Sequence, residues 1–80
     1  MIDWSKCPAV ESVPGRVSGA WVFKGTRLPV YVLFENLAAG ATIYDFIEWF
    51  GGVGESEVAT VLNHAAQELR AKAAHAYPVR

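Results

Sequence analysis

The chain is poor in the residues that staple, anchor or catalyse. Cys7 is its only cysteine in 80 residues. That excludes an intrachain disulfide and fits a reducing compartment, so a cytoplasmic protein is expected. No apolar run approaches the roughly 20 residues that cross a bilayer. The start, Met1-Ile2-Asp3-Trp4, has neither the basic nor the apolar region of a signal peptide, and no membrane partner is expected. Internal repeats and low-complexity segments are absent. Charge of one sign is also lacking. Seven Lys and Arg face eight Asp and Glu, for a net charge of -1. There is no global basic footprint, so any contact with nucleic acid must rest on local charge.

Catalytic constellations are missing too. His64 and His75 do not stand at metal-ligand spacing, and Cys7 is remote from both. Gly51-Gly52-Val53-Gly54 lacks the lysine and the preceding strand of a phosphate-cradling loop. Asp45 and Glu48 read as cap and solvent residues. No enzyme activity, metal or cofactor is expected.

Apolar surface is what the chain has in quantity. It is 52% hydrophobic, with three Trp, four Phe and three Tyr. A domain this small buries only a modest fraction of its surface. The surplus points to a homodimer or a partner surface, with Trp21, Phe23 and Trp49 as candidate partner-binding residues.

The organising stretch is Lys24-Gly25-Thr26-Arg27-Leu28-Pro29-Val30. Gly25 permits a positive φ and a sharp bend. Pro29 fixes its own φ and reads as a helix start. Before the stretch, residues 1–12 read as an irregular arm that packs Trp4 over something. Val13-Pro14-Gly15-Arg16 is a turn, and Val17 to Phe23 reads as a short extended pair interrupted at Gly19.

After it the pattern is helical. Val30, Leu33, Phe34 and Leu37 form one stripe of a first helix over Val30–Ala39, apolar nearly all round, as the buried centre of a bundle is, and closed by Gly40. Thr42 is the N-cap of a second helix, with Asp45 completing a capping box and Ile43, Phe46, Ile47 and Phe50 facing inward. A third helix starts at Gly54 or Glu55 and reaches about Ala74. Its core stripe is Val58, Val61, Leu62, Ala65 and Leu69.

The expected fold is mainly α: a three-helix helix-turn-helix, homeodomain-like bundle with a short N-terminal β ribbon. Residues 1–29 are the arm and dimerising ribbon, 30–75 the core, and 76–80 a flexible tail. In such a bundle the third helix shows its outer face to the major groove. Here that face is Ser56, Thr60, Asn63 and Gln67. Asn and Gln pair bidentately with adenine. Lys24 and Arg27, with Arg16, add positive charge on the ribbon. The DNA-binding candidates are therefore Lys24, Arg27, Thr60, Asn63 and Gln67. Against them stand two bland readings: a solvated helix face, and cations that solubilise an edge strand. Glu55 and Glu57 at the start of the third helix would meet phosphates unfavourably.

The organising stretch also resembles the Gly-Thr-Arg-Ile-Pro-Val signature of the bacterial domain-of-unknown-function 433 family. Ser18-Gly19-Ala20-Trp21-Val22-Phe23 sits where that family has its Gly-containing strand. Leu37-Ala38-Ala39-Gly40-Ala41-Thr42 is similar to its helix-Gly-x-Ser/Thr turn, and Val58 to Ala66 to its last helix. The likeness spans roughly residues 7 to 70. It departs at Gly52-Val53-Gly54, where members often have Pro and a Ser or Thr cap, and at Trp21, where Pro is common. The resemblance implies an antitoxin-like protein that neutralises a PIN-like ribonuclease toxin by stoichiometric binding. It also implies a homodimer that represses its own operon by binding operator DNA. A protein-interaction module, or a stand-alone regulator without a toxin, are the alternatives.

Overall fold

The structure, a computed structural model, describes residues 2–71. Three helices follow the signature stretch: α1 over Val30–Ala38, α2 over Ile43–Trp49 and α3 over Glu55–Arg70. Pro29 sits at the N-cap of α1 with φ -65° and ψ 141°, one residue earlier than a first helical position. Its extended ψ carries the chain straight out of the ribbon, where Pro29 bridges Val22. Gly40 ends α1 in the left-handed region at φ 103°, its N–H bonding Leu37 O at 3.0 Å.

The expected cap of α2 is present in both directions. Thr42 Oγ1 accepts the Asp45 N–H at 3.0 Å, and Asp45 Oδ2 accepts the Thr42 N–H at 2.9 Å. Gly54 has no side chain to cap α3, but Glu57 Oε1 still reaches back to its N–H at 2.7 Å. The helix stops at Arg70 with Ala71 as C-cap. The expected continuation to Ala74 and the tail over 76–80 lie outside the described residues.

The ribbon is not built as expected. Its strands are β1, Val10–Glu11, and β2, Val22–Phe23, antiparallel with Val10 opposite Phe23 and Glu11 opposite Val22. The arm thus supplies the partner strand and is not irregular throughout; Trp4–Lys6 is also a 3-10 turn capped by Asp3. Val17 and Ser18, read as extended, have φ 49° and 55°, and Gly19 follows at 76°. Three successive left-handed residues curl the chain and cannot pair as a strand. For an L residue this conformation costs roughly 1–2 kcal/mol. The loop is held by Ser12 Oγ donating to Gly19 O at 2.6 Å and by the Ala20 N–H on Val17 O at 3.0 Å.

The core lies where the ribbon meets the helices. Phe23, Phe46, Leu33, Val22, Val58 and Val61 are its largest fully buried side chains. The Phe46 ring packs 6.2 Å from Phe23 and 4.8 Å from Phe50, centroid to centroid. Two expectations fail at its rim. Leu69 keeps the helical phase of the core stripe but is 66% exposed; the arm docks on the neighbouring Glu68 through Asp3 and leaves Leu69 uncovered. The first helix is not buried all round, since Tyr31 and Glu35 face outward.

Candidate nucleic-acid interface

The signature stretch forms a loop that turns β2 back toward α1. Gly25 takes φ 77°, the left-handed bend that its residue type anticipated. Thr26, which sequence reasoning passed over, organises the loop. Its hydroxyl donates to Phe23 O at 2.7 Å and accepts the Leu28 N–H at 3.0 Å. Its methyl lies beside the α2–α3 turn; a Cβ on Gly52 would stand 3.4 Å from it.

Glu11 ties this loop to the strained one. One carboxylate oxygen, Oε2, accepts the Gly25 N–H at 2.7 Å and Arg16 Nη1 at 3.2 Å. Arg16 is therefore committed to an ion pair. Lys24 and Arg27 are exposed, and their side chains make no hydrogen bond or ion pair among the described residues. The Lys24 N–H bonds Ala9 O at 2.9 Å. Pro8 and Ala9 in turn border a shallow groove of about 210 Å³ with Ser56, Glu57 and Thr60. The fold thus links Lys24, through its backbone, to the segment that flanks the start of α3.

The three α3 candidates do not share one environment. Asn63 and Gln67 are exposed on the outer face with Ser56. Thr60 is half-buried beside the arm, and its hydroxyl donates to Ser56 O at 2.9 Å. Of the two acidic residues that would oppose phosphates, Glu57 is occupied in capping, whereas Glu55 stands exposed.

The partner candidates also separate. Trp49 and Tyr44, both on α2, are 60% and 71% exposed. Trp21 is half-buried and lines an apolar groove of about 200 Å³ with Trp4, Val30, Tyr31 and Phe34. Phe23 is corrected: it is 1% exposed, and its ring belongs to the core against Phe46.

Sequence reasoning also missed a clamp on the arm. His64 and Glu68, one turn apart on α3, hold the backbone of Asp3. His64 Nε2 lies 2.7 Å from Asp3 O, and Glu68 Oε1 accepts the Asp3 N–H at 2.9 Å. A carbonyl can only accept, so His64 carries its proton on Nε2. The indole of Trp4 follows, 5.3 Å from the His64 ring and 6.2 Å from Phe34. The i, i+4 spacing of His64 and Glu68 was the readable signal. The Asp3 carboxyl is held below its ordinary value by the Ser5 hydroxyl, then by the Ser5 N–H, with Lys6 and His64 adding positive charge.

Among the described residues no three His, Cys, Asp or Glu side chains gather as metal ligands. No helix among them is long and apolar enough to cross a membrane.

No curated protein matches the chain. A crystal structure of a member of the same unknown-function family (DUF433) from Anabaena variabilis is similar in fold, with a TM-score of 0.66 at 19% identity. The alignment covers 79% of this chain and 62% of that one, so the chain spans less than two thirds of that protein's length. The model of the family described as Protein of unknown function (DUF433) matches residues 10–65, from the first residue of β1 to the buried Ala65 of α3. The chain therefore belongs to that family.

Proposed function

We propose that this chain is a small operator-binding protein of the antitoxin kind. The observation that carries the DNA part is the pair Asn63 and Gln67. They stand exposed one turn apart on the second helix of a helix-turn-helix, where amide side chains read base edges. Exposed Lys24 and Arg27, on the loop beside the α2–α3 turn, supply the phosphate contacts. The toxin part rests on the family resemblance, which implies a PIN-like ribonuclease bound stoichiometrically.

A gel-shift salt titration on the DNA upstream of the gene tests the first part. Arg27→Ala should weaken binding uniformly across sequences and lower the slope of log K against log salt by about one per chain. An unchanged slope removes Arg27 from the interface; no shift with the wild type removes operator binding altogether. Co-expression with the neighbouring gene product tests the second part, and the absence of a nuclease-like neighbour leaves a stand-alone regulator.

Trp49 and Tyr44 favour a second reading, a protein-interaction module. Two large exposed aromatics on one short helix are the residue types that anchor interfaces. That module would bind its partner through α2 and leave DNA unshifted.

A further inference from the structure

Lys24 and Arg27 stand exposed on a loop whose backbone is pinned beside each of them. The Lys24 N–H bonds Ala9 O at 2.9 Å, and the Gly25 N–H bonds Glu11 Oε2 at 2.7 Å. The Thr26 N–H and the Thr26 hydroxyl both donate to Phe23 O, at 3.0 and 2.7 Å. The same hydroxyl accepts the Leu28 N–H at 3.0 Å. Joining β2 to α1 asks for less, because the Phe23 N–H on Leu28 O at 2.9 Å already closes the loop. The additional bonds fix the backbone under two cations whose side chains have no hydrogen bond or ion pair among the described residues.

Thr26 also reaches the approach to α3. Its methyl lies beside the α2–α3 turn, where a Cβ on Gly52 would stand 3.4 Å away, and α3 begins just after that turn at Glu55. Gly52 takes φ 92°, so the turn favours glycine at the point where Thr26 meets it. One side chain thus holds the loop of the cations and touches the turn that leads into the helix of Asn63 and Gln67. Phosphate contacts carry no sequence information, but they fix the register in which base contacts are offered. A cation on a loose loop adds charge at any register, whereas one on a pinned loop selects a register.

We infer that Thr26 is a positioning residue of the DNA interface. It holds Lys24 and Arg27 in fixed register with the outer face of α3, so that phosphate binding aligns Asn63 and Gln67 with the base edges. The inference rests on the operator-binding reading above and adds to it the source of its selectivity.

The test compares two duplexes of equal length, the DNA upstream of the gene and a scrambled sequence, across a salt series. Thr26→Val keeps both cations but gives up the two bonds of the hydroxyl. Its slope of log K against log salt should match the wild type, since as many phosphates are neutralised. Its preference for the upstream duplex should fall about tenfold, within what one bidentate base contact supplies. Thr26→Ser keeps both bonds and should restore most of that preference. A Thr26→Val variant that is folded by circular dichroism and either keeps its preference or loses affinity for both duplexes alike overturns the positioning role and leaves operator binding standing. Should Thr26→Val fold poorly, Glu11→Ala loosens Gly25 from outside the loop. The preference should fall likewise, and the slope should steepen by about one per chain because Arg16 is released from its ion pair. An unchanged preference in that variant overturns the inference. A wild type with no preference between the two duplexes overturns the operator-binding reading, and this inference with it.

Discussion

Asp3 and His64 are 61 residues apart in sequence and joined by a 2.7 Å hydrogen bond. With Glu68 on the adjacent N–H, α3 holds both backbone groups of one arm residue, as a neighbouring strand would. Removing either side chain should loosen the arm without unfolding the bundle. His64→Ala and Glu68→Ala are each expected to cost about 0.5–1.5 kcal/mol in urea denaturation. Amide exchange of residues 3–7 should speed up in both variants, and exchange in α2 should not.

The Asp3 carboxyl gives the arm an acid-side dependence. Its folded pKa lies below the ordinary 3.8, so its contribution is complete above that value. It is lost as pH falls through the lower folded value. The Ser5 amide shift should therefore be insensitive to this carboxyl from pH 5 upward and should titrate below 3.8. A Ser5→Ala variant should move that midpoint upward, toward the ordinary value.

Phe46 touches the ribbon on one side and the end of α2 on the other, and it is 0% exposed. Phe46→Ala should cost about 3–5 kcal/mol. A domain of this size holds total stability of the same order. The expected outcome is loss of a cooperative melt by circular dichroism, with Phe46→Leu retaining one at lower temperature.

How the core would assemble was legible from residue order only where local chemistry decides geometry. Thr42 and Asp45 announced their capping box because the cap needs only a side chain three residues from its partner. Gly25 and Gly40 announced their bends because few other residues adopt positive φ cheaply. The ribbon was hidden for the opposite reason. Two-residue strands have no periodicity to read, and Val17 is a β-former by type but curls because of hydrogen bonds from Ser12 and within its own loop. Leu69 kept the right phase, but phase says nothing about where the covering layer ends. Of the candidate site, Asn63 and Gln67 emerged on the outer face as the helical projection required. Phe23 did not emerge on a surface, since alternation in so short a strand cannot say which face is covered on both sides. The Asp3–His64 contact links the two ends of the described chain, and nothing local encodes it.

Thr26 offers a test of the signature loop apart from any binding role. Thr26→Val keeps the shape but removes one donor and one acceptor, leaving the Leu28 N–H without its partner and Phe23 O with the Thr26 N–H alone. The expected cost is about 1–3 kcal/mol in urea denaturation. Thr26→Ser keeps both bonds and should recover most of it.

Cys7 belongs to the arm, between the Trp4 turn and β1, and is 3% exposed with its thiol in the core. A thiol in that position reacts only during the moments when the arm has left its seat. Its modification rate by a thiol reagent is then the intrinsic rate multiplied by the fraction of time spent undocked. The lone cysteine is a clock for the arm, and His64→Ala and Glu68→Ala can each be timed against it without adding a label to the protein.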